Sequence, residues 1–426
     1  MNLEQNKIAL RNWGCINPEN IEGYIQNANG YRGLLKALRI NRADVIEELR
    51  KAGLRGRGGA GFSTAEKWQI CHDASGDEKY VICNAVDADP KSQIARLLAD
   101  NDPHSILEGM LIGAYTVGAQ RGFICLNKEY SITIDRLKKA LEQVKKHPSV
   151  NPNCDIEIKE IPSSLVAGEE TALICALEGK QAMPYRRPAY PAVKGYKDKP
   201  TLVDSVETFC HVTAILQNDA GWYAAFGTEG NRGAKIINLC GDSVINTTVE
   251  VALGTTLRTI INRIGGLNNT EAVKAVQVGG PTGILFPAAA LDTPLDFDAM
   301  SRAGGIIGSG TIQVFNDTHC VVETVNTMMS YLQSQSCGKC VLCREGTLQM
   351  ADILTDISEG KGSPKDLELL IEIGEAMPTG SICGLGKTAS NPVLSSIKHF
   401  RADYDIHINE KRCPKMTSRT TRINDG

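Results

Sequence analysis

The sequence predicts a mixed α/β fold that gives way to a helical bundle towards the C-terminus. Three observations predict it. Between about residues 55 and 230, short strand-like runs alternate with helical ones; from about 233 the pattern becomes strand, strand, helix; beyond about 319 only helical periodicity remains. At 426 residues the chain is long enough for several domains and at least one large core. Its 42% hydrophobic and 22% charged residues are those of a soluble globular protein.

Residues 1–54 read as a helical N-terminal segment. In ADVIEELRKAGL the apolar residues recur at helical spacing and the run stops at a glycine. Within 55–232, YVICNAV, RGFICLN and DIEIKEI have the content of buried strands, and ILEGMLIGAYTVGA and SITIDRLKKALEQVKK that of helices. Prolines in MPYRRPAYPAVKGYKDKP fix an extended loop rather than an element. In 233–318, AKIINLCG, TTVEVALG and TTLRTIINRIGG suggest a small β-grasp-like unit. Residues 319–412 are helical in VVETVNTMMSYLQS, EGTLQMADILTDISEG, PKDLELLIEIGEAM and NPVLSSIKHFRADYDIHI. Residues 413–426 form a polar tail.

Composition excludes several classes of partner. The net charge is −3, Lys and Arg are dispersed and only 5% of residues are aromatic, so neither a basic footprint nor base-stacking platforms for nucleic acid are expected. The start, MNLEQNKIALRNWGC, lacks a basic region followed by an apolar core, and no apolar run is long enough to span a bilayer. Direct membrane insertion is therefore not expected. Most of the 14 cysteines sit singly in apolar runs, such as Cys83, Cys125, Cys175 and Cys240. Buried free Cys behaves as a small hydrophobe, and a reducing, cytoplasmic compartment is the expectation.

One group of cysteines breaks this pattern. Cys337, Cys340 and Cys343 are spaced three apart in SCGKCVLC, and Cys383 follows in SICGLG. A cubane iron–sulfur cluster needs one thiolate per iron, often three from a C-x2-C-x2-C loop and a remote fourth. Gly338 frees the backbone to wrap such a cluster, a helix beginning near Arg344 points its positive end at it, and Lys339 and Arg344 add positive charge. Structural zinc also uses C-x2-C, but three thiols in one loop fit it less well. No ferredoxin-type C-x2-C-x2-C-x3-C-P run is present, so a single [4Fe-4S] cluster is expected. The seven histidines show no metal spacing.

A second motif, Gly56-Arg57-Gly58-Gly59-Ala60-Gly61, matches G-x-G-x-x-G. A dinucleotide fingerprint follows a strand, whereas a helical pattern precedes this one, and no Gly-Lys-Ser/Thr ends it as in a P-loop. What remains is a glycine loop leading into a helix that starts at Ser63 and Glu66, an S-x-x-E capping box. Backbone N–H groups there can cradle a phosphate or a flavin, and Lys67 in the first turn can meet anionic charge. The alternative is a surface turn; four glycines in six residues favour close approach to a ligand.

At this point the residues resemble a family. LRGRGGAGFSTAEKW is similar to the GLRGRGGAGFPTGxKW motif of the NADH-binding flavoprotein subunit of respiratory complex I, shared by β subunits of electron-bifurcating hydrogenases and some formate dehydrogenases. VAGEETALICALEG, PYRRPAYPAVKGYKDKPTLVDSVET, VGGPTG, SCGKCVLCREGT and ICGLGKTASNPVLSSIKHF continue the resemblance in order along nearly the whole chain. It implies a Rossmann-like flavin domain, a ubiquitin-like β-grasp domain and a cluster-bearing bundle. It also implies FMN and NAD(H) as cofactors besides the [4Fe-4S] cluster, with a thioredoxin-like [2Fe-2S] subunit and a larger iron–sulfur subunit as partners. Gly58, Gly59, Gly61 and Lys67 match the FMN loop, and Phe62 an aromatic that contacts NADH. Asn84 and Asp87 fall in the stretch matching NADEGEPG. Gly168, Glu169 and Glu170 match GEE, and Thr208 the threonine of NNVET. Cys337, Cys340, Cys343 and Cys383 match the cluster ligands. Arg187 and Tyr190, on the proline-rich loop, can clamp a nucleotide by charge and stacking, or line a surface loop.

Departures gather around the flavin. NADEGEPG reads Asn84-Ala85-Val86-Asp87-Ala88-Asp89-Pro90-Lys91, so an acid that contacts the ring is replaced by Val86 and two glycines by Ala88 and Lys91. Leu165 replaces a tyrosine, and Ile70 and Tyr190 stand where phenylalanines occur. Asp204 in DSVET brings negative charge towards the expected phosphate, unfavourable unless a cation offsets it. Two functions follow: an NADH:acceptor flavoprotein with an altered site, or a flavin-less paralogue serving as electron relay or assembly scaffold.

Overall fold

The computed structural model describes residues 7–148, 150, 154–242, 244–267 and 273–415; most of the expected polar tail, 416–426, lies outside the described residues. The chain divides into two compact units, one of residues up to Ile237 plus Thr248–Thr255, the other of Asn238–Thr247 and the residues from Thr256 onward.

The first unit begins with α1 (Ile21–Asn27), α2 (Arg32–Ala37) and α3 (Arg42–Ala52). α3 ends as its sequence suggests: Arg50 and Lys51 occupy the last turn, and Gly53 takes the left-handed conformation at φ +68°. The glycine loop then leads into α4 (Thr64–Asp73), where Ser63 Oγ accepts the Glu66 N–H at 3.3 Å. There follow β1 (Tyr80–Ala85), α5 (Ile94–Asn101), α6 (Pro103–Val117), β2 (Arg121–Asn127), α7 (Ser131–Lys146) and β3 (Asp155–Ile161). Next come α8 (Glu170–Leu177), β4 (Thr201–Ser205), α9 (Val206–Gln217), α10 (Ala220–Ala224), β5 (Gly227–Thr228) and β6 (Asn231–Arg232).

β1 to β4 form one parallel sheet in the order β3-β2-β1-β4. Their near-continuous apolar runs are what a sheet covered on both faces requires. Alternate residues enter different cores: Val81, Cys83, Ile124 and Leu202 join the large core that includes α6 and α9, while Tyr80, Ile82, Phe123 and Val203 pack with Ala167, Leu173 and Ile174 on the other face. Buried carboxylates fix the N-terminal segment. Glu108 accepts from the Tyr24 hydroxyl at 2.6 Å and Tyr31 N–H at 2.8 Å, and Glu250 accepts the N–H groups of Ile8, Ala9 and Leu10 at 2.9–3.0 Å.

β7 (Ala234–Gly241) and β8 (Thr247–Ala252) contribute residues to both units. The second unit continues with α11 (Leu257–Thr259), β9 (Val273–Val278), β10 (Ile284–Pro287), α12 (Phe297–Arg302) and β11 (Thr311–Asn316). The sheet order is β10-β9-β11-β7-β8, with β11 parallel to β7 and antiparallel to β9. Strands β9, β10 and β11 were not foreseen from the sequence. The remainder is helical: α13 (Val321–Ser334), α14 (Val341–Ser358), α15 (Pro364–Gly380), α16 (Gly384–Thr388), α17 (Asn391–His399) and α18 (Arg401–Asn409). The run read as one helix from Asn391 breaks at Phe400, whose ψ is +34°. The mixed α/β class with a parallel sheet and a helical C-terminal region is as expected. No helix among the described residues is long and apolar enough to cross a membrane.

Candidate functional site

The first unit gathers its candidate residues where the connectivity of the parallel sheet reverses. β1 leads to β2 and β3 on one side and has β4 on the other, so ligands of such sheets sit beyond the carboxyl ends of β1 and β4. Asn84 lies at the end of β1, Asp204 and Ser205 at the end of β4, and Thr208 in the first turn of α9.

The glycine loop docks onto this edge. The Arg57 N–H donates to Thr208 Oγ1 at 2.9 Å, Ser205 Oγ lies 2.8 Å from the same oxygen, and a Cβ on Gly58 would stand 3.6 Å from Ser205 Cβ. Gly56 N–H donates to Phe62 O at 2.8 Å and Arg55 Nε to Gly61 O at 2.7 Å, closing the loop on itself. Gly59 at φ +116° and Gly61 at φ +66° hold conformations that side chains resist. Arg57 turns away from solvent: only 2% exposed, it donates to the carbonyls of Arg55, Arg232 and Ala234 and to the Tyr223 hydroxyl. It buttresses the loop.

Lys67 Nζ donates to Val203 O at 2.8 Å and Asp204 Oδ1 at 3.2 Å, with Glu170 Oε2 at 3.7 Å. Burial opposes its charge, but Asp204 and Glu170 outweigh burial and raise its pKa. Asp204 also accepts from Trp68 Nε1 at 2.8 Å; burial lifts its pKa although Lys67 pulls the other way. The cation that an acid here requires is thus Lys67.

Glu169 caps α8, accepting from the N–H groups of Thr171 and Ala172 at 2.8 and 2.9 Å. Arg187 Nη2 meets Glu169 Oε1 at 2.7 Å and Glu170 Oε1 at 2.8 Å, and its guanidinium lies 5.3 Å from the Tyr190 ring centroid. Asn84 Nδ2 donates to Gly168 O at 2.9 Å. Gly58, Lys67, Asn84, Gly168, Glu169, Glu170, Arg187, Tyr190 and Thr208 therefore belong to one connected set. Phe62 and Tyr190 leave half of their surface to solvent. Asp87 is directed elsewhere. At φ +48° its carboxylate accepts the N–H groups of Ala95 and Arg96 at the start of α5, each at 3.0 Å, and burial pushes its pKa up to about 7.

The second unit holds the four cysteines, with Cys343 and Cys383 buried and Cys337 and Cys340 half-buried. Cys340 immediately precedes α14, which begins three residues before Arg344, and Cys343 lies in its first turn. Burial raises the Cys343 pKa, and the thiols of Cys337 and Cys340 are close enough to raise it further. A Cβ on Gly386 would lie 2.7 Å from Ser381 Cβ and 3.2 Å from Cys343 Cβ, so the turn bearing Cys383 folds against the cysteine loop. Gly338 is left-handed at φ +78°, and Arg344 Nη1 clamps its carbonyl at 2.6 Å while Nε pairs with Glu345 at 2.8 Å. Ser336 Oγ stands 3.6 Å from Cys343 Sγ. The buried Ser381 hydroxyl has no partner among the described residues. Thiol donors, nearby hydroxyls and the positive end of α14 fit an anionic thiolate-held cluster. The serines escaped sequence analysis, since nothing in their spacing marks them.

The comparisons with known proteins agree with this geometry. The model of the Nuo51 FMN-binding domain matches residues 49–214, and that of the NADH-ubiquinone oxidoreductase-F iron-sulfur binding region matches 323–407. The NADP-reducing hydrogenase subunit HndC of Solidesulfovibrio fructosivorans is 39% identical over 96% of this chain and 85% of its own. The F-type subunit of the Streptomyces coelicolor NADH-quinone oxidoreductase is 35% identical over 92% and 89%. A chain of the NAD+-reducing [NiFe]-hydrogenase in its H2-reduced state superposes with a TM-score of 0.81 at 35% identity, covering 88% of this chain; the match spans 63% of that longer chain. The chain therefore belongs to the family of F-type subunits of NADH-quinone oxidoreductases and their hydrogenase counterparts, which unite an FMN-binding domain with an iron–sulfur region.

Proposed function

We propose that this chain is the redox subunit of a multi-subunit complex, exchanging reducing equivalents with NAD(H) through FMN and passing single electrons by way of a [4Fe-4S] cluster to iron–sulfur partner subunits. FMN supplies the conversion between a two-electron hydride carrier and single electrons, which the cluster carries one at a time. The observation that carries the reading is the pairing, in one chain, of a glycine loop at the switch point of a parallel sheet with a second unit in which the turn bearing Cys383 folds against the loop of Cys337, Cys340 and Cys343.

In this reading Gly58, Gly59 and Gly61 admit the ligand close to the backbone, whose N–H groups meet its phosphate. Thr208 holds the loop through the Arg57 N–H, and Asn84 fixes the Gly168 carbonyl. Lys67 supplies a fixed positive charge at the floor. Arg187 and the half-exposed rings of Phe62 and Tyr190 serve the nucleotide. Cys337, Cys340, Cys343 and Cys383 ligate the cluster. The finer architecture proposed is a Rossmann-like FMN/NADH domain over 55–232, a β-grasp domain over 233–318 and a cluster-bearing bundle over 319–412. The proposed partners are a thioredoxin-like [2Fe-2S] subunit and a larger iron–sulfur subunit; the matched relatives are themselves named as subunits.

The acids around Lys67 favour one second reading, a flavin-less electron relay. Acid extraction of the purified chain decides between them. Flavin near one per chain together with iron and acid-labile sulfide, and NADH-dependent reduction of an artificial acceptor, support the first. Iron and sulfide without flavin refute it in favour of the relay.

A further inference from the structure

We propose that Ser336 and Ser381 hold the iron–sulfur site at a raised reduction potential by donating their hydroxyl protons to its sulfurs, an inference that rests on the four-cysteine cluster reading above. Both serines stand outside the ligand set, and both lie against it. Ser336 immediately precedes Cys337, and its Oγ is 3.6 Å from Cys343 Sγ. Ser381 stands two residues before Cys383 and is only 5% exposed, and its Oγ has no partner among the described residues.

The direction of each hydroxyl follows from its surroundings. Ser336 Oγ accepts the Gly338 N–H at 3.3 Å, and the Gly338 carbonyl is in turn held by Arg344 Nη1 at 2.6 Å. A ligating Cys343 is a thiolate with no proton to give, so the Ser336 O–H is the donor in this contact. Hydrogen bonds in such a chain polarise one another. Ser381 Oγ and Cys343 Cβ border the same small space: a Cβ on Gly386 would lie 2.7 Å from the first and 3.2 Å from the second. The Ser381 hydroxyl thus sits beside a ligand side chain with its proton uncommitted. The threonines of this region differ. Thr347 Oγ1 donates to Cys343 O at 2.8 Å and Thr388 Oγ1 to Gly384 O at 2.9 Å, so backbone carbonyls take their protons. A buried hydroxyl without a protein partner, set against a thiolate loop, points to an acceptor that the thiolates themselves hold.

An added electron increases the negative charge on the sulfurs of a thiolate-held cluster. An O–H donor there stabilises the reduced form more than the oxidised one, and the potential rises accordingly. Donors outside the ligand set are how a protein tunes a metal centre without exchanging its ligands. The two serines come from different segments, Ser336 from the loop between α13 and α14 and Ser381 from the turn between α15 and α16, so single substitutions separate their contributions. Neither residue ligates iron. Both act through the sulfurs, as positioning residues that set the driving force of electron transfer.

The test is a redox titration of the whole chain with its cluster in place, followed by the paramagnetic resonance signal of the reduced state. Ser336→Ala and Ser381→Ala are each expected to shift the one-electron equilibrium about threefold towards the oxidised form, or about 28 mV lower, and the double variant about tenfold, or about 59 mV lower. Ser336→Thr keeps the hydroxyl and is expected to titrate with the wild type. Iron and acid-labile sulfide per chain are expected to match the wild type in all of these variants. Electron–nuclear double resonance after exchange into D2O is expected to show deuterons coupled to the reduced cluster, with one coupling lost in each alanine variant. A potential unchanged or raised in either alanine variant, or deuteron couplings identical to those of the wild type, would overturn the role of that serine. If Ser381→Ala holds no cluster, the comparison of Ser336→Ala with Ser336→Thr decides by the same two readings. A wild type without iron or the reduced signal would instead refute the cluster reading, so the two failures are distinguishable.

Discussion

Replacing Lys67 by methionine tests the electrostatic floor of the proposed flavin site. The ammonium satisfies Asp204 at 3.2 Å and Glu170 at 3.7 Å, and the Asp204 side chain is only 2% exposed. Removing one partner of a buried pair costs about 3–5 kcal/mol, because the other charge is left uncompensated. Lys67 is 24% exposed and Trp68 still donates to Asp204, so about 2–3 kcal/mol is the discounted expectation. With a urea slope of about 2–3 kcal/mol per molar, the midpoint falls by about 1 M. Urea titration followed by tryptophan fluorescence measures this, since Trp68 is fully buried and bonded to Asp204. The pH dependence has a definite sign. Burial raises the Asp204 pKa above its ordinary 3.8, so the stability it contributes is complete below that value and declines as pH rises through the folded pKa. Loss of the lysine charge pushes that pKa higher still. The deficit of the variant should therefore be small near about pH 4 and grow towards neutrality, and Asp204→Asn in the same chain should recover most of it. A midpoint shift that is equal at both pH values, or no recovery in the double variant, refutes the argument.

Further outcomes follow from the same packing. Cys340→Ser should abolish or strongly weaken the reduced-cluster paramagnetic resonance signal while flavin content is kept; a full signal in that variant contradicts the ligand assignment. Arg187→Ala strips Glu169 of its cation and leaves Glu170 only Lys67, and should raise the KM for NADH about tenfold, or roughly 1.4 kcal/mol, with flavin content unchanged. An unaltered KM would assign Arg187 to the loop alone. Burial pushes the Glu250 pKa up to about 7, so the stability it lends is present below its ordinary 4.5 and is lost as pH rises through about 7. Amide exchange at Ile8, Ala9 and Leu10 should then accelerate beyond base catalysis above neutrality, and Glu250→Gln should flatten that excess.

What the sequence revealed was what local spacing encodes. The strands read from YVICNAV, RGFICLN and DIEIKEI and the helix from SITIDRLKKALEQVKK coincide closely with β1, β2, β3 and α7. β4, β9, β10 and β11 border directly on Pro200, Gly279, Gly283 and Gly310, whose turn signals mask the strands beside them. The break between α17 and α18 falls at Phe400, without the Pro or Gly that ordinarily signals one. The cysteine loop was visible because three of the proposed ligands, Cys337, Cys340 and Cys343, stand three residues apart. Cys320 and His407 are 87 residues apart, and only the packing of α13 against α18 brings them into contact. Arg57 and Asp87 show the same limit. Their places in a ligand-binding motif say nothing about a guanidinium turned towards Tyr223 or a carboxylate turned towards α5.

The unusual stretch from Val86 to Lys91 is anchored by the buried side chains of Val86 and Asp89, and this bears on how a flavin could be retained. Val86 is 1% exposed and belongs to the core with Ile82, Phe123 and Leu173, so the side chain that replaces a ring-contacting acid is spent on folding. Ala88 Cβ lies 2.8 Å from where a Cβ on residue 168 would stand, so Ala88 is tolerated only because Gly168 has none. The ion-paired side chains around Lys67 and Arg187 are these two cations and three acids, Glu169, Glu170 and Asp204, an excess of one acidic group. A phosphate bringing a further charge of about −1.5 to −2 gains little from ion pairing in such surroundings. Its retention must rest on backbone N–H groups of the glycine loop and on ring contacts, which salt screens weakly. Raising ionic strength from about 0.05 to about 0.5 M shortens the screening length roughly threefold and relieves the residual repulsion. Flavin affinity, measured by fluorescence quenching on reconstitution, should stay within about twofold or tighten; a loss of tenfold or more would mean that cations, and not the backbone of Gly58 to Gly61, hold the phosphate.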